Sequence, residues 1–316
     1  MFKLLNFKPV PGLTSPSLQM IVSNFTPPGS APQSQSLLVK LSDGDLLSCE
    51  ISTPPNWQPH NYTIAMVHGL GGSHLSSYMI RLSRKFFQQG LRVVRINLRG
   101  CGTGHGLNRL PYNNGNSEDI RTVLETLKTK SPLSPIALIG FSLGGNVTLK
   151  MAGELGDRAP SLINRIFAVC PVLDIADAVY RISQKKNWVY HNYYLRTLRK
   201  QGKKWLEGKV ISSMHDIDEQ ITAPLWGYKN AQDYYEKCSS CKYVKNISVP
   251  CDLLLAADDP FIDYTILKHT KLSPSTNVWI TPFGSHMGFL GKTSNESDIY
   301  WMDHWLLNHI VSSQNS

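Results

Sequence analysis

The sequence predicts an α/β protein: a mostly parallel central sheet, helices on both of its faces, and a helical segment inserted into it. Three observations predict this. Short apolar runs alternate with stretches of helical period along most of the chain. Several runs, such as Ile136-Ala137-Leu138-Ile139, are continuously apolar rather than alternating, as strands covered on both faces must be. The alternation halts for about eighty residues between Pro171 and Val249 and then resumes. With 316 residues, 41% hydrophobic and 17% charged, the chain can bury a large core as one domain carrying an insertion.

The elements follow in chain order. "MFKLLNFKPVPG" has an early lysine, but Lys8 and Pro9 interrupt its short apolar piece and no small-residue cleavage site follows, so a signal peptide is not expected. Residues 1–34 are expected to form an N-terminal extension packing on the core. Pro27 to Ser36, rich in Pro, Gly, Ser and Gln, reads as a loop. "SLLVKL" (36–41) and "DLLSCEIS" (45–52) flank Ser42, Asp43 and Gly44 and read as an antiparallel hairpin. Next come a strand at 62–67, a helix from Ser76 to Gln89 stopped by Gly90, a strand at 91–98 and a helix from Ser117 to Lys130. A strand ending at Gly140, a helix after it and a strand at 163–170 complete the first part of the core, 35–171. Residues 172–248 are the expected helical lid. The core resumes over 249–316, with strands at 250–257 and 276–281, a helix near Tyr264 to Thr270, and a terminal helix around Ser297 to Val311.

Chemistry in such a sheet belongs at the carboxyl ends of its strands. At one of them "SPIALIGFSLGGNVTLK" sets Ser142 between Gly140 and Gly144, where a buried strand gives way to a helix. A capping serine would suit a helix start. The strand–turn–helix setting of Gly-x-Ser-x-Gly is the setting of a nucleophile elbow, and Ser142 is read as the nucleophile. A serine hydroxyl needs a base, the base needs an orienting carboxylate, and the oxyanion needs donors. His286 in "TPFGSHMGFLG" follows a strand, with glycines on either side that can turn its ring back over the sheet edge, and is the expected base. His68 also follows a strand, but its neighbours suggest another job; His304 and His309 fall in the terminal helix. The acid should lie on the loop after the preceding strand, where "LLLAADDPFID" offers Asp258 and Asp259. The amide of Leu143, at a helix N-terminus, is one expected oxyanion donor. The second should come from "HGLGGS" (68–73): Leu70, with Gly69 as the fallback. The spacing of a phosphate-binding loop is absent there.

"VHGLGGS", "INLRGCG", "IGFSLGGN", "AADDPF" and "GSHMGFLG", in this order and spacing, resemble the α/β-hydrolase superfamily, and within it the YheT-like branch of bacterial and eukaryotic hydrolases. "FKPVPGLTSPSLQMI" and "NLRGCGTGHGLNRLPYNNGNSEDI" are similar to that branch as well. The resemblance covers nearly the whole chain and implies the α/β-hydrolase fold and a serine carboxylic-ester hydrolase with the triad Ser142, Asp259 and His286. Asp259 is preferred because acids of that superfamily commonly take the fourth place of a Gly-x-x-Asp turn, which Ala256 to Asp259 mimics. One departure stands out: "GSHMGF" carries Ser285 where the branch often has a second glycine before the histidine. The lid matches poorly.

The formal charge of +9 is concentrated in one place. Between Arg181 and Lys209 there are nine Lys/Arg against one acid, Glu207, a net of +8. Around Trp188, Leu195, Leu198 and Trp205 apolar residues recur at near-helical spacing, with Tyr190, Tyr193 and Tyr194 among them. Three readings compete for this window: a lid whose apolar face covers an acyl pocket and whose basic face is solvated, docking on anionic lipid, and nucleic-acid binding. No recognition motif supports the last, and no nucleic-acid partner is expected. The expected partner is a small uncharged ester with an aliphatic acyl chain, short to medium in length or an acylglycerol. No cofactor and no metal are expected. The six cysteines, including the lone Cys238-Ser-Ser-Cys241, read as reduced thiols rather than a disulfide framework, which suits a cytoplasmic protein, peripheral to a membrane if the basic window docks there. Two rival functions are an acyltransferase using the same acyl-enzyme with an alcohol acceptor, and a non-catalytic binding protein of the same fold. A His-x-x-x-x-Asp motif is absent, and the full Ser, Asp and His set argues against the second.

Overall fold

The computed structural model describes residues 2–293 and 298–312. Within them, nine strands form one sheet in the order β1-β9-β8-β7-β6-β4-β5-β3-β2. The strands are β1 (Phe2–Leu4), β2 (Gln35–Lys40), β3 (Leu46–Ser52), β4 (Thr63–Val67), β5 (Arg92–Ile96), β6 (Ile136–Phe141), β7 (Arg165–Val169), β8 (Cys251–Ala256) and β9 (Thr276–Thr281). From β5 through β9 to β1 every pairing is parallel. β3 runs antiparallel to β5 and to β2, so the expected hairpin closes one edge of the sheet.

Alternate residues along the central strands feed two cores, as a period of two requires. Ile64, Met66, Ile139 and Phe167 face α2 (Ser77–Gln88) and α11 (Trp301–Ser312). Ala65, Val67, Leu138 and Ile166 face α3 (Ser117–Lys130) and α4 (Leu143–Leu155). Burial on both sides explains why β4 and β6 lack any polar alternation. Buried ion pairs tie the layers together. Arg99 joins Asp43 and Asp45, beside the hairpin turn, to Asp119 of α3, and Arg81 joins α2 to Asp303 of α11.

Residues 172–248 are helical: α5 (Ile175–Ile182), α6 (Trp188–Gln201), α7 (Lys203–Leu206), α8 (Met214–Ile217), α9 (Ala223–Leu225) and α10 (Ala231–Cys238), with a π-turn at Asp218–Thr222. The N-terminal segment contributes more than a packed extension. β1 pairs with β9 as the edge strand, and α1 (Pro16–Phe25) lies against α2. Two local expectations change. The helix near Tyr264 is a 3₁₀ turn, Tyr264–Lys268, whose start is held by Asp263 accepting from the Thr265 amide. The terminal helix begins at Trp301, and Ser297, its expected first residue, lies outside the described residues. Among the described residues all six cysteines are free thiols, and no helix is long and apolar enough to cross a membrane.

Candidate active site

β6 ends at Phe141 and α4 begins at Leu143, so Ser142 must reverse the chain alone. It does so at φ 52° and ψ −115°, a region an L-residue enters only at a cost of about 1–3 kcal/mol. The turn closes because its neighbours lack side chains. A Cβ on Gly144 would lie 2.4 Å from the Val67 carbonyl oxygen, and one on Gly140 would lie 2.6 Å from the Gly144 carbonyl oxygen.

The loop after β9 brings His286 to this elbow. Ser142 Oγ lies 2.8 Å from His286 Nε2, and His286 Nδ1 lies 2.8 Å from Asp259 Oδ2. An ionised carboxylate only accepts, so Nδ1 carries the ring proton and Nε2 is left to accept from the serine hydroxyl. The other Asp259 oxygen accepts from the amides of Phe261 and Ile262, at 2.8 and 3.0 Å. All three side chains are buried to within a tenth of their surface.

Asp258 takes a different task. Its Oδ1 accepts from the Ser285 amide at 2.7 Å, and burial raises its pKa. Ser285 stands at φ 54°, the left-handed region that favours glycine, so its carboxylate partner helps to hold a strained turn next to the histidine. The departure from a second glycine at this position therefore has a structural counterweight.

On the facing loop, the Gly69 amide donates to Tyr78 Oη at 2.9 Å and is already engaged. Leu70, the next residue, lies on the wall of the cavity beside Ser142. The Leu143 amide opens α4, and a first-turn amide has no acceptor inside its own helix. His68 braces this loop rather than joining the serine. Its Nδ1–H donates to the Gly69 carbonyl at 2.8 Å and its Nε2 accepts from the Leu98 amide at 3.1 Å. Burial pushes its pKa down to about 4, so the ring is neutral at physiological pH.

Residues 62–212 match the family model of the alpha/beta hydrolase fold. The chain belongs to the α/β-hydrolase superfamily. It is similar to YheT of Escherichia coli (strain K12), 29% identical over 269 residues that cover 81% of this chain and 78% of that one. It is also similar to phospholipase ABHD3 of Mus musculus, 27% identical over 277 residues that cover 80% of this chain and 66% of that one. These relatives set it in the YheT-like branch. Among solved structures, the Pyrococcus furiosus esterase Pf2001 shares the fold with a TM-score of 0.59 at 16% identity, over 90% of this chain and 99% of that one.

In this α/β-hydrolase, Ser142 and His286 open onto a cavity of about 1140 Å³, part of it continuous with solvent. Its walls are mostly apolar. Val179 and Ile182 come from α5, Leu198 from α6, Leu206 from α7, and Phe261 and Ile262 from the loop after β8. The lid reaches the imidazole through rings: Tyr190 and Tyr194 pack edge-on against Phe261, and Phe261 packs against His286 at 5.0 Å. Leu198 and Trp205 line the cavity as the spacing suggested, whereas Leu195 packs with Ile211 and Ile221, and Trp188 points outward.

Several residues that hold this site carried no readable signal. Tyr78 looks like one more aromatic of α2. His74 and Asn97 pair through the Asn97 Oδ1, which accepts from the His74 amide and ring, and this ties the loop after β4 to the end of β5. Cys170, at φ 44°, places its sulfur within 4.8 Å of the interacting atoms of Asp259 and His286. Burial and the nearby carboxylate raise its pKa, so the thiol stays protonated. These three groups could present donor atoms to a metal, but His286 and Asp259 are bonded to each other and Ser142 fills the remaining ring nitrogen.

Proposed function

We propose that the protein is a serine carboxylic-ester hydrolase for an uncharged ester with an aliphatic acyl chain, working through an acyl-enzyme on Ser142. Oγ attacks the ester carbonyl carbon as His286 Nε2 takes its proton, and Asp259 steadies the imidazolium that forms. The Leu70 and Leu143 amides receive the oxyanion. The C–O bond to the alcohol then breaks, with His286 returning its proton to the leaving oxygen. Water repeats the sequence to release the acid and free Ser142. The observation that carries this reading is the 2.8 Å contact of Ser142 Oγ with His286 Nε2 at the mouth of an apolar cavity. The apolar walls of the cavity favour a flexible hydrocarbon over a charged acid. The names of the relatives, a phospholipase among them, fit the ester class.

The test is a chain-length series of p-nitrophenyl and glyceryl esters, run with and without a competing alcohol and paired with fluorophosphonate labelling. The expected result is label on Ser142, none on a Ser142→Ala variant, and free acid as the main product. An acyl-alcohol product predominating at modest alcohol concentration would make the protein an acyltransferase instead.

A further inference from the structure

We propose that the outward faces of α1 and α6 form one docking surface for an anionic phospholipid bilayer. α1 is inside-out for a helix bathed in water. Its inward face carries Gln19 and Ser23 beside Met20. Gln19 is held by bonds to main-chain atoms of Leu13 and Leu290, and Ser23 Oγ donates to the Met20 and Met287 carbonyls. Its outward face, at spacings of three and four, carries Leu18, Ile21 and Phe25, which are 45%, 44% and 68% exposed. α6 has two faces of its own. Tyr194 and Leu198 line the cavity, while Val189, Tyr193, Arg196 and Lys200 point away from it. The Phe25 and Tyr193 rings meet edge-on at 6.4 Å, so the two apolar faces are continuous, and Trp188, 67% exposed, extends them.

Cations surround this patch. Lys185, Lys186, Arg196, Lys200 and Lys203 are exposed. Among the described residues, the only member of the basic window that pairs with a carboxylate is Arg181, with Asp177 and Asp263. That mixture selects the occupant. Protein interfaces are depleted in lysine at their cores. A lipid surface takes aromatic and aliphatic side chains into the acyl boundary while lysine and arginine reach the phosphates. Docked this way, the bilayer lies one helix diameter, about 10 Å, from the cavity wall that the same α6 provides. The surface reaches beyond the basic lid, because half of its apolar face comes from α1.

The experiment is flotation of the whole protein with phosphatidylcholine vesicles, with and without phosphatidylserine, at low and at physiological salt. Wild type should float with the anionic vesicles and partition less as salt rises. Replacing both Ile21 and Phe25 by serine should lower the partition coefficient by about tenfold or more. Lys185→Glu with Lys200→Glu should remove most of the salt dependence. An unchanged thermal midpoint checks that the variants fold. Three results would each overturn the proposal: no wild-type binding at low salt, binding that ignores the serine replacements, or a self-association that those replacements abolish. The measurement reads partitioning and not turnover, so its failure leaves the ester-hydrolase reading standing.

Discussion

Asp259→Asn is the sharpest perturbation of the site. The carboxylate accepts three bonds: from His286 Nδ1–H at 2.8 Å, and from the Phe261 and Ile262 amides at 2.8 and 3.0 Å. An asparagine keeps the shape, and its one carbonyl oxygen satisfies the two main-chain amides. Its NH₂ then faces Nδ1, and two donors cannot both donate. The ring answers by moving its proton to Nε2, where it would donate to Ser142 Oγ instead of accepting from it. Neither side chain is open enough for bulk water to take over the missing role. By the arithmetic of triads, kcat should fall on the order of 10⁴-fold, about 5.5 kcal/mol of barrier. Asp258→Asn is the built-in control. The Asn oxygen can still accept from the Ser285 amide, so only the charge is lost, and kcat should fall by less than about tenfold. The assay is steady-state hydrolysis of a short-chain p-nitrophenyl ester near neutral pH, with thermal midpoints to confirm folding. An equal loss in Asp258→Asn, or a loss under about tenfold in Asp259→Asn, would refute this account of the two carboxylates.

Three further outcomes are expected. Ser285→Gly should be neutral or stabilising by up to about 1 kcal/mol in denaturant titration, where a glycine placed in ordinary backbone costs about 0.5–1 kcal/mol; a clear loss would mean the φ of 54° carries no strain. Tyr78→Phe frees the Gly69 amide and loosens the loop that presents Leu70, so kcat should drop about tenfold with little change in KM; a change confined to KM would make Tyr78 a substrate contact instead. Burial on the cavity wall pushes the Asp218 pKa up to about 6, so the folded protein holds that proton more tightly than the unfolded chain and loses stability as pH rises from about 4 to about 6. Asp218→Asn stays neutral, so it should be more stable than wild type by about 3 kcal/mol above that window and no more stable at its acid end; equal gains at both ends would assign the effect to something other than ionisation.

The sheet and the meeting of Ser142 with His286 were legible for one reason. A parallel sheet buried on both faces leaves uninterrupted apolar runs, and its turns need glycine, so Gly140, Gly144 and Gly284 punctuate the chain where Ser142 and His286 stand. Asp259 was half legible, since either of two adjacent carboxylates could follow β8, and only three-dimensional placement separates the one at the imidazole from the one at the Ser285 amide. What holds these groups in place was not legible. Tyr78, His74 and Asn97 act through main-chain atoms of distant residues, and such bonds leave no periodicity. β1 is three residues long and gains its place only by pairing with β9, about 275 positions away. The 3₁₀ turn at Tyr264 follows from Asp263 bonding the Thr265 amide and hydroxyl, a local competition that an apolar pattern does not reveal.

α6 shows why the lid resists reading from sequence and why it matters for substrate choice. Its apolar residues fall on nearly every side because it has three neighbours at once. Tyr190 and Tyr194 meet Phe261, Leu195 joins Ile211 and Ile221, and Val189 and Tyr193 meet solvent beside Phe25. A helix with one apolar stripe announces its partner; a helix with three does not. The same crowding makes α6 a wall with independent sides. Changes at Leu198 alter the space open beside Ser142, whereas changes at Arg196 or Lys200 leave that space alone and alter only what the outer face meets. The inner side also reaches the imidazole, through Phe261, so a substituent that pushes on Tyr190 or Tyr194 reaches His286 in one further contact. The space beside Ser142 and the placement of His286 are therefore coupled on one side of this helix, while the charge on its other side acts only on what the outer face meets.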